Sequence, residues 1–212
     1  MPAIKDTPQE APVSLAADAL RKSHAPVSQA LNMAKLLKLT AAFFLAGTVI
    51  LFLWHQSYPN DVLLSLTITF GTIAYHFIMR LLVGLVFRTV MHDRADYRKR
   101  WYQVSKRKLA IYEKLRVKKW KSKMPTYDPT LFDPQIRSWD EIAQVMYQAE
   151  LVHETIVVFS FLPIVGGIWF GAYPVFIATS ILAAWLDTMF VIMLRYNRQR
   201  VLRFLNRKST MR

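Results

Sequence analysis

Four long apolar runs, separated by short polar turns or by blocks dense in Lys and Arg, restrict this chain more than any other feature. From Leu39 to Trp54 the run LTAAFFLAGTVILFLW carries no charge. With the flanking LLK it approaches the ~20 residues that a helix needs to cross a bilayer. Further runs extend from Val62 to about Phe87, from about Thr155 to Trp169 and from Val175 to Leu194. This pattern predicts an all-α membrane protein with about four transmembrane helices, near residues 36–55, 62–87, 155–171 and 174–194. The first run starts near Lys38, too far into the chain and too long for a secretory signal, and reads as an anchor that is retained.

Charge is segregated away from these runs. The chain has 28 Lys and Arg against 14 Asp and Glu, a formal net charge of +14. The basic residues flank apolar spans, so anionic lipid headgroups rather than nucleic acid are the expected partner. With no cysteine, disulfides, thiolate metal sites and a cysteine nucleophile are all excluded. The turns HQSYPND, at 55–61, and GAYP, at 171–174, contain no Lys or Arg, whereas the N-terminal tail, the long central segment and the C-terminal tail are rich in them. The positive-inside rule then places both termini and the central loop in the cytoplasm.

Residues 1–34, with Pro2, Pro8, Pro12 and Pro26, read as a mobile tail with a short helix around Ser14 to Lys22. Residues 35–212 read as one membrane domain, with a basic cytoplasmic loop at 88–154 and a basic tail at 195–212. Within the loop, Leu109, Tyr112, Leu115 and Trp120 recur close to helical spacing among many Lys and Arg. That combination predicts amphipathic basic helices lying in the membrane interface. Pro129 and Pro134 interrupt any helix through PTYDPTLFDP, and Ser138 or Asp140 starts the next one, with acids in its first turn. Either Asn60 or Asp61 caps the second span.

Polar residues inside apolar spans are costly and mark a cavity or a partner. His76 and Arg80 are four apart and share one face of the second span. They form a polar pocket with Arg80 holding an anionic group, or else Arg80 snorkels to the headgroups and His76 bonds backbone. Asp187, in the fourth span, needs a partner that Arg80 or His76 would supply, and a purely structural ion pair satisfies it equally. Glu150, His153 and Glu154 lie on one side of the helix that enters the third span. A His oriented by a carboxylate there, Glu150 being the candidate, can take the proton of a hydroxyl that attacks an acyl carbonyl. A solvated polar stripe below the membrane surface is the plainer reading of the same spacing.

Several other chemistries lack their signatures. Five His residues are too few for a histidine-rich desaturase, and the single E-x-x-H of Glu150 and His153 does not make a di-iron site. No metal site is expected. His92 and Asp96 are one residue too close for the H-x4-D box of glycerolipid acyltransferases, and no Walker A loop or dinucleotide glycine pattern occurs.

Three blocks, in order, resemble the glycosyl-4,4'-diaponeurosporenoate acyltransferase family of the staphyloxanthin pathway. They are Val117-Lys118-Lys119-Trp120-Lys121, Ala149-Glu150-Leu151-Val152-His153 followed by Leu162-Pro163, and Arg195-Tyr196-Asn197-Arg198 followed by Arg200. Tyr97-Arg98-Lys99-Arg100-Trp101 is a looser fourth element, so the resemblance covers roughly residues 97–205. Gln199 stands where the family pattern has a proline. The resemblance implies a membrane enzyme that esterifies a sugar hydroxyl of a glycolipid or other lipid-linked acceptor. Glu150 and His153 would be catalytic. Lys118, Trp120, Lys121, Arg195, Tyr196, Asn197, Arg198 and Arg200 would bind donor or substrate, and His76, Arg80 and Asp187, read from their place in the spans, are candidates for the same role. No bound cofactor is implied, the donor being acyl-CoA or an acyl carrier protein. The acyl chain would lie between the third and fourth spans, where Gly166 and Gly167 allow close approach or a groove. A non-enzymatic scaffold that docks a partner and grips anionic lipid is the alternative. Convergence of the polar span residues on one place separates the two.

Overall fold

The computed structural model describes residues 11–92, 94, 105–120, 124–125 and 129–210, with side chains in the first helix described from Met33. The described residues form helices and connecting turns, without strands. Helix α1 runs Ala11–Ser57, so the backbone of 11–32 is helical and continuous with the first span, and α2 runs Asp61–Met91. Asn60 is the cap of α2: its side chain accepts from the Val62 amide at 2.8 Å, which satisfies one of the helix's four orphan donors. His92, in the left-handed region at φ 50°, ends α2 by donating its N–H to the Arg88 carbonyl.

The segment between the second and third spans folds as α3, Lys106–Lys114, and α4, Val117–Trp120, followed by a 3-10 turn at Pro129–Phe132. The expected stripe does not run through one helix, because Arg116 adopts φ 50° and breaks the helix between α3 and α4. Tyr112 and Val117 are consequently buried, while Ile111 and Leu115 are exposed. Trp120 turns back to donate its indole N–H to the Leu115 carbonyl at 3.1 Å.

Helix α5, Trp139–Phe159, opens on a full capping box between Ser138 and Glu141. The third span then breaks. Pro163 has no N–H for the Phe159 carbonyl, and α6, Pro163–Phe170, begins after a tight turn in which Phe161 and Leu162 donate to Val158 and Phe159. The Tyr75 hydroxyl of α2 donates to the same Phe159 carbonyl at 2.9 Å. Irregular backbone at membrane depth requires such protein partners. Gly171, at φ 66°, terminates α6, and α7 runs Tyr173–Thr210.

α1 packs on α2, α2 also meets α5 and α7, and α5 and α7 form the main helix pair with α6 against α7. Gly47 lets the Phe70 ring lie against the α1 backbone, and Phe44 stacks on Phe77 at 6.2 Å. The rings of Tyr173 and Phe176 fill the space beside Gly167 and Gly166, so these glycines serve close packing rather than a groove.

Four helices are long and apolar enough to cross a membrane. Phe43, Ile50, Leu82, Leu85, Ile168, Trp169 and Leu182 are exposed along them, as expected of surfaces that meet lipid. The chain is an integral membrane protein. Burial instead concentrates at the basic end of the bundle, where Tyr112, Val117, Ile142, Ala143, Val145, Tyr147, Leu194 and Val201 are all buried. There α3, α4 and the first half of α5 gather around the last half of α7. With 38 residues α7 is about 57 Å long, roughly twice the ~30 Å of hydrocarbon it must cross. Its C-terminal part therefore carries a small head outside the membrane.

Candidate active site

Two layers of ionisable side chains lie where the bundle meets this head. In the inner layer Asp187 of α7, 2 % exposed, is held from both sides. One carboxylate oxygen pairs with Arg80 of α2, and the other hydrogen-bonds His153 Nδ1 of α5 at 2.8 Å. Arg80 also reaches the Ala183 carbonyl at 3.5 Å. The His153 ring lies flat on Phe190, with centroids 4.7 Å apart and planes within 5°. An ionised carboxylate only accepts hydrogen bonds, so opposite an ionised Asp187 the shared proton lies on Nδ1, and in the neutral imidazole Nε2 is then the acceptor. Among the described residues Nε2 has no hydrogen-bond partner.

The second layer lies two turns further along α7. Glu150, 1 % exposed, accepts from Arg195 Nε at 2.6 Å and from Arg198 Nε and a terminal nitrogen at 3.1 and 2.9 Å. Arg195 also pairs with Glu154, and the buried Tyr112 of α3 lies close by. The Arg198 guanidinium stands 5.4 Å from the Tyr147 ring centroid. Measured from Tyr173, Asp187 lies ~21 Å along α7 and Arg195 ~33 Å, against ~30 Å of hydrocarbon. The inner layer is thus inside the membrane, and the outer layer sits at its boundary. Each layer is balanced, Arg80 against Asp187 in one and two arginines against two glutamates in the other.

This arrangement changes the assignment made from spacing. Asp187, not Glu150, orients His153. Glu150 and Glu154 are four apart on α5 and meet Arg195, whereas His153 is turned one residue aside, towards the part of α7 that carries Asp187. Arg195 and Arg198 are occupied by carboxylates and so are not open to a donor's phosphates. Asp187 pairs with Arg80, one of the two partners suggested for it. Lys118 and Arg200 are exposed on the head, Tyr196 and Asn197 are partly buried beside Arg195, and Lys121 lies outside the described residues. The partnership of His153 with Asp187 escaped sequence reasoning because 34 residues and a broken helix separate them. Tyr112 and Phe190 were missed too, for an aromatic residue in such a chain gives no sign of which side chain it will cover. Among the described residues no three His, Asp or Glu side chains gather as metal ligands.

His76 lies near Arg80 and Asp187 but makes no hydrogen bond to them. It is 5 % exposed, and neither ring nitrogen has a hydrogen-bond partner among the described residues. A buried polar group without partners costs ~1–3 kcal/mol. His76→Leu is therefore expected to raise stability by about 1–3 kcal/mol, read as a higher unfolding temperature in detergent. A lower one would mean that the imidazole is satisfied.

The family described as glycosyl-4,4'-diaponeurosporenoate acyltransferase matches residues 98–207, just over half of the chain. The chain belongs to this acyltransferase family. No curated protein and no solved structure matches it. The matched segment contains His153, Asp187, Glu150, Glu154, Arg195 and Arg198, but Arg80 and His76 lie before it. In this chain the counter-ion of the buried aspartate thus comes from outside the segment that matches the family.

Proposed function

We propose that this membrane acyltransferase moves an acyl group from a thioester donor to a hydroxyl of a lipid-linked sugar. Nε2 of His153 takes the hydroxyl proton as the oxygen attacks the thioester carbonyl. A carbon–oxygen bond forms and the carbon–sulfur bond breaks. The departing thiolate receives the proton from the imidazolium, which Asp187 stabilises while it exists. The substrate hydroxyl takes the place that a serine nucleophile has in a hydrolytic triad, so no acyl-enzyme is needed.

The observation that carries this reading is the His153–Asp187 pair, joined at Nδ1 and with no partner for Nε2 among the described residues. Its position at the inner side of the membrane boundary suits an acceptor anchored in lipid. Arg80, His153 and Asp187 meet at one place, which supports an enzyme, while Glu150 lies in the second layer and His76 bonds to neither. The Lys and Arg at the head end favour a cytoplasmic orientation for it, with both termini on that side, as in a bacterial cytoplasmic membrane. Lys35, Lys38, Arg88 and Arg94, exposed where α1 and α2 meet that boundary, suit anionic headgroups.

Lipid mass spectrometry of cells producing wild type or His153→Ala at equal levels tests the reaction. The expected result is a lipid that gains an acyl chain with wild type and loses it by ~10³–10⁴-fold in the variant. Identical lipid profiles in a host that supplies glycolipid acceptors would reject the acyltransferase reading.

A further inference from the structure

The C-terminal part of α7 carries a feature that the chemistry at His153 does not use. Arg200, Arg203 and Arg207 are exposed, and no ion-pair partner is found for them among the described residues. Their spacing of three and four places them on one face of the helix. Leu194, Arg198 and Val201, all buried, occupy the opposite face, which packs on α3, α4 and α5. Exposed Phe204 adjoins the row, its ring 5.3 Å from Trp139. Lys118 and Lys119 are exposed on α4, which touches α7.

We infer that this row is the docking surface for an acidic carrier protein that delivers the acyl chain as a thioester, an inference that rests on the acyltransfer reading. Height above the membrane argues against lipid headgroups. Arg195 already stands at the hydrocarbon boundary, and Arg203 and Arg207 follow ~12 and ~18 Å further along the axis, beyond the ~5–8 Å that headgroups add on each side. Shape argues against a nucleotide. The phosphates of a coenzyme need basic groups that converge, and the convergent arginines, Arg195 and Arg198, are neutralised by Glu150 and Glu154. What remains is a straight row about 10 Å long, which matches carboxylates on successive turns of an acidic helix. Asp187 is ~24 Å from Arg203 along α7, so a carrier docked on the row must bring its acyl group in on a long flexible arm.

The test measures binding of palmitoyl-loaded acyl carrier protein to the full chain in nanodiscs of neutral lipid. Wild type is expected to bind with an affinity that falls steeply with salt. The triple variant Arg200→Glu, Arg203→Glu, Arg207→Glu should weaken binding at least tenfold, with membrane insertion and unfolding temperature unchanged. No binding by wild type would overturn the inference, as would equal binding by the triple variant or displacement of the carrier by equimolar palmitoyl-CoA. A triple variant that loses affinity only for anionic vesicles would assign the row to lipid and overturn it as well. Arginine-dependent carrier binding without any acylated lipid in the cellular experiment would leave the docking surface standing and remove the acyltransfer reading alone.

Discussion

Asp187→Asn is expected to lower acyl transfer by about 10⁴-fold, the scale on which a histidine base held in the wrong tautomer fails. Asparagine keeps the shape of the side chain but can present its amide N–H₂ to Nδ1. The lone pair is then drawn to Nδ1 and the hydrogen moves to Nε2, where it blocks proton transfer from the acceptor hydroxyl. The same substitution strips Arg80 of its counter-ion inside the membrane. Breaking a buried pair on one side costs ~3–5 kcal/mol, so the unfolding temperature should fall together with activity. Adding Arg80→Gln separates the two effects. The double variant restores charge balance and should recover most of the stability, but it does not restore the tautomer and should stay inactive. Retention of more than a tenth of wild-type transfer by Asp187→Asn would show that His153 is not the oriented base.

The parts of this fold that were legible in the sequence are those that one stretch of chain decides by itself. Apolar runs give the spans, and the Asn60 and Ser138 caps and the Gly171 turn lie at positions that composition marks. Arg80 and Asp187 could be matched because two opposite charges inside hydrocarbon have few other ways to be satisfied. Glu150 and His153 were singled out together, but the partners that each takes were not legible. Spacing on α5 places both on one side of that helix, and only the register against α7 decides that Asp187 faces His153 and that Arg195 and Arg198 face Glu150. The break before Pro163 was readable in principle from the proline, yet the hydroxyl that makes it tolerable comes from Tyr75, 84 residues earlier.

The second layer braces the first. α5 supplies His153, α7 the carboxylate bonded to it and α2 the counter-ion of that carboxylate, so three helices must keep their register for a 2.8 Å hydrogen bond to persist. In a membrane, apolar surfaces between helices gain little over apolar surfaces against lipid, and ion pairs with hydrogen bonds fix register more firmly. The arginine–glutamate layer does this at the hydrocarbon boundary. α3 and α4 also touch α7, which joins the head to the α5–α7 pair.

Glu150→Ala is therefore expected to act on stability first. It leaves Arg198, 1 % exposed, and Arg195 without their shared carboxylate in a site too buried for water to replace it. The expected loss is about 3–5 kcal/mol, seen as a fall in unfolding temperature in detergent or nanodiscs. Glu154 still neutralises part of the charge on Arg195, so most of the loss should come from Arg198, and Glu150→Ala with Arg198→Leu should recover more stability than Glu150→Ala with Arg195→Leu. Below its unfolding temperature the single variant should keep transfer within about tenfold of wild type, because His153 and Asp187 remain paired. A catalytic Glu150, the role its spacing from His153 suggests, requires the opposite pattern: transfer abolished at an unchanged unfolding temperature. The two roles differ in which measurement moves, and one variant assayed both ways decides between them.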